Sequence, residues 1–196
     1  GSFRDFNFID RKVFNPSVTW RPTERTTLTV DVEILKQDFR ADSGIPVIGN
    51  RPAPVPLSRS YGDPNTPVSF TNKTHIGFNI DHVFNESWKL TNRFLSSFID
   101  AESIWANPAP AFGNALQADG RTLNRNIFGQ TSYVRTYATN LDLVGKFTVA
   151  GTKHQVLVGM DYTRAATDYG IYGNFTSGNP ALAIDLFNPS YGIDPS

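Results

Sequence analysis

The chain lacks several features that would assign it to common classes of protein. It has no cysteine, which excludes disulfide bonds and thiolate metal sites. It has no charge excess, with 18 basic and 18 acidic side chains, and a dedicated nucleic-acid binder would usually carry a basic surplus. No apolar run approaches the roughly 18 residues that a membrane-spanning helix needs. No segment repeats apolar residues at helical spacing over more than two turns, so the sequence argues against a helical protein.

What the sequence does contain is alternation. Between residues 27 and 39, Leu28, Val30, Val32 and Ile34 share one parity, and Thr and acidic side chains take the other. A period of two is typical of a strand with one apolar face. Similar alternation predicts six strands in three antiparallel hairpins, over residues 13–20, 27–39, 74–84, 88–98, 137–147 and 156–163.

The predicted connections differ in length at the two ends of the strands. Short polar turns at 21–25, 84–88 and 150–153 are about 64 residues apart. Long stretches rich in proline, glycine or asparagine at 41–67, 101–123 and 170–196 are predicted to be irregular. A single helical turn is predicted within 181–187. Short turns at one end and long loops at the other are typical of an outer-membrane β-barrel. The predicted fold class is therefore all-β, with antiparallel hairpins forming part of such a barrel.

Bulky aromatic residues cluster beside the short turns: Trp20, Phe84, Trp88 and Phe147. In a membrane barrel, such rings form the aromatic girdle at headgroup level. The same rings could equally close the end of a soluble β core. The alternative to a barrel is therefore a soluble β-sandwich serving as a binding or adhesion module, with the same apolar face buried against a second sheet.

Several ordered segments resemble the barrel of TonB-dependent siderophore receptors, especially the ferrichrome-receptor branch. Residues 14–22 with 26–29 resemble an early strand and turn of that barrel. Residues 77–85 are similar to its Gly-Tyr-x-Phe-x-His-x-Phe-Asn hairpin. Residues 146–162 resemble its Lys-Phe…His-x-Leu-Leu-x-Gly-Val-Asp-Tyr hairpin, and 186–189 match an Asn-Pro segment in the following loop. The resemblance covers nearly the whole chain in matching order.

The resemblance implies that residues 3–196 are a section of a barrel of roughly 22 strands whose plug domain is not in this chain. Residues 1–2 read as a cloning remnant. The implied function is that of part of a receptor in the bacterial outer membrane that binds and imports ferric siderophores, this section supplying wall and binding loops. The implied partners are the ferric siderophore, outer-membrane lipid and, through the plug, the TonB complex, with no nucleic acid. The ferric complex is the ligand, and no cofactor is expected.

The resemblance also places a ligand pocket on three loops, which correspond to residues 43–50, 103–112 and 168–175. The first departs from the ferrichrome receptor, because Ile-Pro-Val-Ile at 45–48 stands where that receptor has aromatic residues. Flat rings suit a hydroxamate or catecholate complex, and arginine could pair with an anionic one. For each aromatic residue, packing within the loop is an equally good explanation, and for the arginines a solvated or lumen-facing charge is the favoured one. The predicted ligand-binding residues are Trp105, Phe112, Tyr169, Tyr172, Phe175 and Arg51, with Arg59, Arg121 and Arg125 as further candidates for an anion.

Catalytic patterns are scarce. The histidines are His75, His82 and His154, and the first two would point to opposite faces of one strand, where they cannot share a metal ion. There is no Gly-x-Ser-x-Gly elbow, His-Glu-x-x-His motif or phosphate-binding loop. We therefore expect no enzymatic activity and no metal site formed by protein side chains.

Overall fold

The structure, a computed structural model, describes residues 2–108, 115–174 and 179–192. Its strands in chain order are β1 (Phe8–Phe14), β2 (Ser17–Thr23), β3 (Thr26–Arg40), β4 (Val47–Ile48), β5 (Arg51–Pro52), β6 (Ser69–Val83), β7 (Trp88–Pro108), β8 (Thr122–Leu123), β9 (Arg125–Val149), β10 (Thr152–Asn174) and β11 (Ile184–Asp185). A short 3-10 turn at Pro180–Leu182 overlaps the start of the helical turn predicted within 181–187, whereas Ile184–Asp185 is strand. No helix among the described residues is long and apolar enough to cross a membrane.

One antiparallel sheet holds the long strands, in the order β1-β3-β6-β7-β9-β10, with β2 also paired to β3. Each strand lies beside its predecessor in the chain, so the sheet is a meander. Two small ladders, β4 with β5 and β8 with β11, lie in the connections. The predicted all-β class is confirmed, and strands occur at all six places in the sequence where strands were predicted.

The first predicted strand, residues 13–20, is both longer than expected and interrupted. It begins at Phe8 and splits into β1 and β2 around Pro16. The register with β3 passes through the break unchanged, from Phe14 opposite Ile34 to Ser17 opposite Asp31. The Pro16 carbonyl accepts a hydrogen bond from Val32 N at 3.0 Å. Proline has no N–H to return the second bond of that pair, which explains the gap in the ladder.

The short turns occur where they were predicted. Asn85 closes the second turn, with its side-chain oxygen accepting hydrogen bonds from Ser87 N (2.9 Å) and Trp88 N (3.0 Å). The third turn has positive φ at Ala150 (49°) and Gly151 (79°). Two successive positive φ values match the twist of a tight hairpin, and glycine adopts them without strain while alanine does not. These turns define what we call the turn end of the sheet; the opposite end is the loop end.

The apolar face of the sheet is open. Strand pairing joins Val30, Phe78 and Phe94 across β3, β6 and β7, and Leu141 and Met160 across β9 and β10. Along β10, Val158 is 64% exposed and Met160 is 60% exposed. Within the described ranges no second sheet covers this face, so its side chains have the arrangement of a lipid-facing wall rather than half of a sandwich.

The apolar band has a defined height. On β9 it runs from Phe147, near the turn end, to Tyr137, and Arg135 follows on the same face. Ten steps of about 3.3 Å on a strand tilted by about 40° give a band roughly 25 Å tall, the height typical of outer-membrane barrels. The other strands change in the same way above the band, where Lys12, Lys36, Asn72, Asp100 and Arg164 take the outer face.

The opposite face is polar and crossed by ion pairs. Lys73 pairs with Glu33 between β6 and β3. Lys89 lies 2.9 Å from Asp81, and Arg93 lies 3.3 Å from Asp142 on the neighbouring strand. A polar inner face opposite an apolar outer face is the pattern of a barrel wall around a water-filled or plugged interior.

Four strands extend further toward the loop end than predicted. The loop predicted over 101–123 is wrong for its first part, since β7 continues to Pro108. Strand β9 begins at Arg125 rather than near Tyr137, and β10 continues to Asn174, so the stretch from Gly170 is strand. Strand β6 likewise begins at Ser69 instead of Thr74. Above the band no lipid requires apolar side chains, so the alternation disappears although the backbone ladder continues.

Candidate ligand-binding site at the loop end

The three long connections pack into one small core at the loop end. Ala53 and Tyr61 come from the first, Leu123 from the second, and Ile184 and Leu186 from the third, and all five are buried. The Tyr61 hydroxyl donates a 2.8 Å hydrogen bond to the Leu186 carbonyl. Burial raises the pKa of Tyr61, which keeps the hydroxyl protonated as a donor. The loops therefore form one packed unit.

A buried ion pair lies at the centre of this unit. Arg125, at the start of β9, is 2% exposed, and its guanidinium lies 3.6 Å from the carboxylate of Asp63, which is 1% exposed. The guanidinium also donates to the carbonyls of Leu182 (2.8 Å), Tyr61 (3.2 Å) and Gly62 (3.3 Å). Burial lowers the pKa of Arg125 and the Asp63 charge opposes this, so the arginine stays cationic. One side chain thus joins the first and third loops to the sheet.

An open cavity of about 940 Å³ lies beside the loop unit on the polar face of the sheet. Its aromatic wall is the pair Trp105 on β7 and Phe128 on β9, which are directly opposite in register, with ring centroids 4.9 Å apart. The rest of the described lining is Asp42, Ser43, Pro46, Val47, Ile48, Gly49, Asn107, Pro108, Ala115, Leu116, Leu123 and Asn126. Its size and largely apolar lining fit a ligand of several hundred daltons.

The polar side chains of the described lining are few: Asp42, Ser43, Asn107 and Asn126. The Asp42 carboxylate accepts from Arg4 Nε and from Gly44 N, both at 2.8 Å. Asn126 is 5% exposed, and its Oδ1 has no hydrogen-bond partner among the described residues. A buried acceptor without a donor is uncommon in proteins and is satisfied when a donor arrives.

Of the predicted ligand residues, Trp105 lines the cavity. It lies on a strand rather than on the predicted loop. Tyr169 lies on the same face of the sheet as Trp105. Tyr169 is paired with Ser132, and Ser132 is an even number of residues along β9 from Phe128, the partner of Trp105. Tyr169 is exposed but does not line the cavity, and Arg51, on β5, is exposed and also outside the lining.

Tyr172 lies on the other face. Its ring covers Gly129, where an added Cβ would come 2.2 Å from the ring. Its hydroxyl donates a 2.5 Å hydrogen bond to Glu102 across β9. Desolvation, and then this bond to Glu102, raise the pKa of Tyr172 to about 12. The structure therefore separates Tyr172 from Trp105 by the thickness of the sheet, and a ligand role for Tyr172 stays a prediction.

The remaining predicted residues divide into two groups. Phe112 and Phe175 lie outside the described residues. The three further arginines contact protein groups: Arg59 donates to the carbonyls of Leu186 and Phe187, Arg121 pairs with Asp185, and Arg125 forms the buried pair described above. Phe128 and Asn126 were missed by the sequence analysis, because only the strand register brings them next to Trp105. Among the described residues no group of three or more acidic or histidine side chains could hold a metal ion.

Comparisons with known proteins agree with this architecture. The chain is 29% identical over 192 residues to the metal-pseudopaline receptor of Pseudomonas aeruginosa, covering 97% of this chain and 26% of that protein. It is 27% identical to the ferrioxamine B receptor of Salmonella typhimurium, over 95% of this chain and 26% of that protein. The crystal structure of the siderophore receptor PiuA from Acinetobacter baumannii superposes with a TM-score of 0.76 at 21% identity, covering 94% of this chain and 29% of that one.

No protein-family model matches the chain. The chain spans about a quarter of the length of the curated relatives it matches. Over nearly its whole length it is similar to TonB-dependent siderophore receptors, and its sheet has the fold of a section of their outer-membrane barrel. The relatives are named as receptors rather than enzymes. The soluble sandwich is not favoured, because the apolar face is uncovered in the described residues and the matches are to barrels.

Proposed function

We propose that this chain is part of an outer-membrane receptor that binds and imports a ferric siderophore, with the cavity beside Trp105 and Phe128 as part of the binding site. The chain supplies barrel wall and rim. A plug outside this chain, coupled to the TonB complex, opens the path for import. The predicted residues Arg51, Phe112, Tyr169, Tyr172 and Phe175 would contribute as further rim residues.

The position of the cavity carries this proposal. Trp105 is seven residues beyond Phe98, the last aromatic residue of the outer apolar band on β7, so the cavity lies roughly 18 Å above that band on a strand tilted by about 40°. The cavity also opens on the polar, inner face of the wall. A ligand held there is at the outer mouth of the barrel and is positioned to enter it.

The test uses the full-length protein that contains this chain, hereafter the parent receptor, purified in detergent. Binding of ferric siderophores of several types is measured by isothermal titration calorimetry, which does not depend on tryptophan fluorescence. Trp105→Ala removes the larger ring of the cavity wall and should weaken binding of the accepted complex about 10- to 100-fold, as for aromatic anchors in other interfaces. Iron-limited growth of cells that carry only this receptor should fall in parallel.

The matched control is Tyr133→Ala. Tyr133 is an exposed aromatic residue of β9 on the outer face, where its ring contacts Arg135. Its removal should leave binding within about threefold. Failure of every ferric complex to bind the unmodified receptor would refute the proposed function. Equal losses in the two variants would refute the cavity as the binding site.

A further inference from the structure

A histidine interrupts the apolar outer face of β6 near the turn end. Ile76, Phe78 and Ile80 follow one another at lipid-facing positions, and His82 takes the next one, one residue before the strand ends. An ionisable side chain at a lipid-facing position is costly, and in membrane proteins such a residue usually serves a function. His82 therefore calls for a polar partner on the outer face.

A chain of hydrogen bonds determines which ring nitrogen of His82 carries the proton. The Arg25 backbone N–H donates to Thr23 Oγ1 at 3.3 Å, and the Thr23 hydroxyl donates to Thr26 Oγ1 at 3.0 Å. The Thr26 hydroxyl is then left to donate to His82 Nδ1, which is 2.9 Å away. A ring that accepts at Nδ1 carries its proton on Nε2, so Nε2 is a hydrogen-bond donor. No described residue accepts a hydrogen bond from it.

His82 lines a cleft of about 460 Å³ between the first turn and the end of β6, which we call the turn cleft. Arg25 holds the two elements together, because its carbonyl accepts a 2.8 Å hydrogen bond from Val83 N and its guanidinium donates one of 3.1 Å to the Phe84 carbonyl. Thr26 and His82 are paired at outer-face positions, so the cleft opens on the outer face. It therefore lies at the level of the lipid headgroups on the turn side of the membrane. The described lining is Thr23, Glu24, Arg25, Thr26, His82 and Phe84.

The turn cleft carries both signs of charge, and neither charge is paired within the described residues. The Arg25 guanidinium uses Nη1 for the Phe84 carbonyl, and its other N–H groups have no described partner. The Glu24 carboxylate forms no ion pair or hydrogen bond with a described residue. A guanidinium and an imidazole N–H suit a phosphodiester, whereas a carboxylate suits a primary ammonium. The two together fit a zwitterion better than a simple anion.

We propose that the turn cleft binds the headgroup of a phospholipid that carries a phosphodiester and a primary ammonium, the ethanolamine type. The phosphate accepts hydrogen bonds from the Arg25 guanidinium and from His82 Nε2, and the ammonium donates to the Glu24 carboxylate. Phe84, which is 48% exposed beside the cleft, packs against the glycerol and the upper acyl chain. This site depends on the outer face meeting lipid, and it is independent of the ligand bound at the loop end.

The test is native mass spectrometry of the parent receptor in detergent, titrated with phosphatidylethanolamine, phosphatidylcholine or phosphatidylglycerol of identical acyl chains. The choline ammonium has no N–H to donate, and the glycerol headgroup has no cation. We expect the Kd of the first lipid bound to be lower for phosphatidylethanolamine than for either other lipid, by about threefold or more. Equal affinities, or tighter binding of the choline or glycerol lipid, would overturn the inference. This comparison uses the unmodified receptor, so it does not depend on the folding of any variant.

Two charge variants separate the contacts to the two ends of the headgroup. Arg25→Gln should weaken binding of both phosphatidylethanolamine and phosphatidylglycerol by about fivefold, because the phosphate is common to them. Glu24→Gln should weaken binding of phosphatidylethanolamine alone, because the carboxylate contacts the ammonium and repels the anionic lipid. A loss in Glu24→Gln that is equal for the two lipids, or no loss in Arg25→Gln, would contradict the assigned contacts.

The two outer-face histidines of the turn end supply a matched pair of variants. His82→Phe keeps a flat ring but removes the Nε2–H, and it should weaken phosphatidylethanolamine binding by about threefold. His154 lies on the outer face of β10 near the third turn, with its ring stacked on Phe147 at 5.6 Å and outside the turn cleft. His154→Phe should leave the affinity unchanged. Equal losses in the two variants, or none in either, would contradict the role given to His82.

Discussion

Arg125→Met should release the loop unit from the sheet. The substitution keeps much of the side-chain volume but removes the guanidinium that pairs with the buried Asp63 carboxylate, and it removes the donors to the carbonyls of Tyr61, Gly62 and Leu182. Removing one partner of a buried ion pair typically costs about 3–5 kcal/mol. Asp63 still accepts hydrogen bonds from Asn65 N (3.0 Å) and Gly192 N (3.1 Å), so we expect the lower end of that range.

The cost should appear as local opening of the loops rather than as unfolding of the barrel, because the long strand ladders do not depend on this pair. At 1.4 kcal/mol per tenfold, about 3 kcal/mol corresponds to a loss of roughly 100-fold in hydrogen-exchange protection. The assay is hydrogen exchange read by mass spectrometry on the parent receptor, for peptides covering residues 53–66 and 179–192. Asp63→Asn alone should cost less, and combined with Arg125→Met it should recover part of the loss, because the buried charge is then absent.

The matched control is Arg93→Met. Arg93 also pairs with an aspartate, Asp142, but its side chain is 61% exposed. An exposed pair contributes about 1 kcal/mol or less, so protection of the loops should not change. Protection in both loop peptides that stays within about threefold of the unmodified receptor after Arg125→Met would refute the role given to the buried pair.

Three further predictions follow from single contacts. The pKa of Tyr172 is raised to about 12, so its neutral form stabilises the folded rim below pH 10, its ordinary pKa, and this contribution is lost as pH rises toward 12. In a pH titration, the difference in tyrosinate absorbance between the unmodified receptor and Tyr172→Phe should have its midpoint near pH 12. A midpoint near pH 10, the ordinary value, would contradict the contact with Glu102. Ala150→Gly should stabilise the third hairpin by about 0.5–1 kcal/mol, measured by urea unfolding in lipid vesicles, because positive φ strains alanine; a loss of stability would contradict the turn geometry. Val158→Arg, on the outer face, should lower the free energy of unfolding by about 2–4 kcal/mol in the same assay, and Asp161→Arg, on the inner face, should lower it clearly less. Equal losses of stability in the two variants would contradict the assignment of the faces.

The sequence predicted the membrane part of the sheet better than the part above it. Within the band, Leu28, Val30 and Val32 must face lipid on every second position, and this requirement leaves a visible period of two. Above it, Asp100 and Arg164 occupy positions that would be apolar lower down, because water and lipid headgroups tolerate them. The sequence therefore predicts loops there, whereas in the structure the strands continue to Pro108 and Asn174.

The candidate site was only partly predictable for a related reason. The resemblance points to Trp105, which lines the cavity in the structure, and its contact with a ligand stays a prediction. The neighbouring Phe128 depends on the register between β7 and β9, which no local pattern reports. The sequence offers Arg125 as a possible anion ligand, because sequence alone does not show that Asp63 lies against it in the folded loops.

The orientation of the wall is the central claim, because both the membrane location and the inward-facing cavity depend on it. The absence of cysteine makes the test direct in this chain, since single cysteines can be introduced one at a time from Val156 to Thr163 on β10 and spin-labelled. In the parent receptor in lipid vesicles, labels at 156, 158, 160 and 162 should collide with lipid-soluble oxygen. Labels at 155, 157, 159 and 161 should be shielded from it. Uniform accessibility along the strand, or the opposite alternation, would contradict the account.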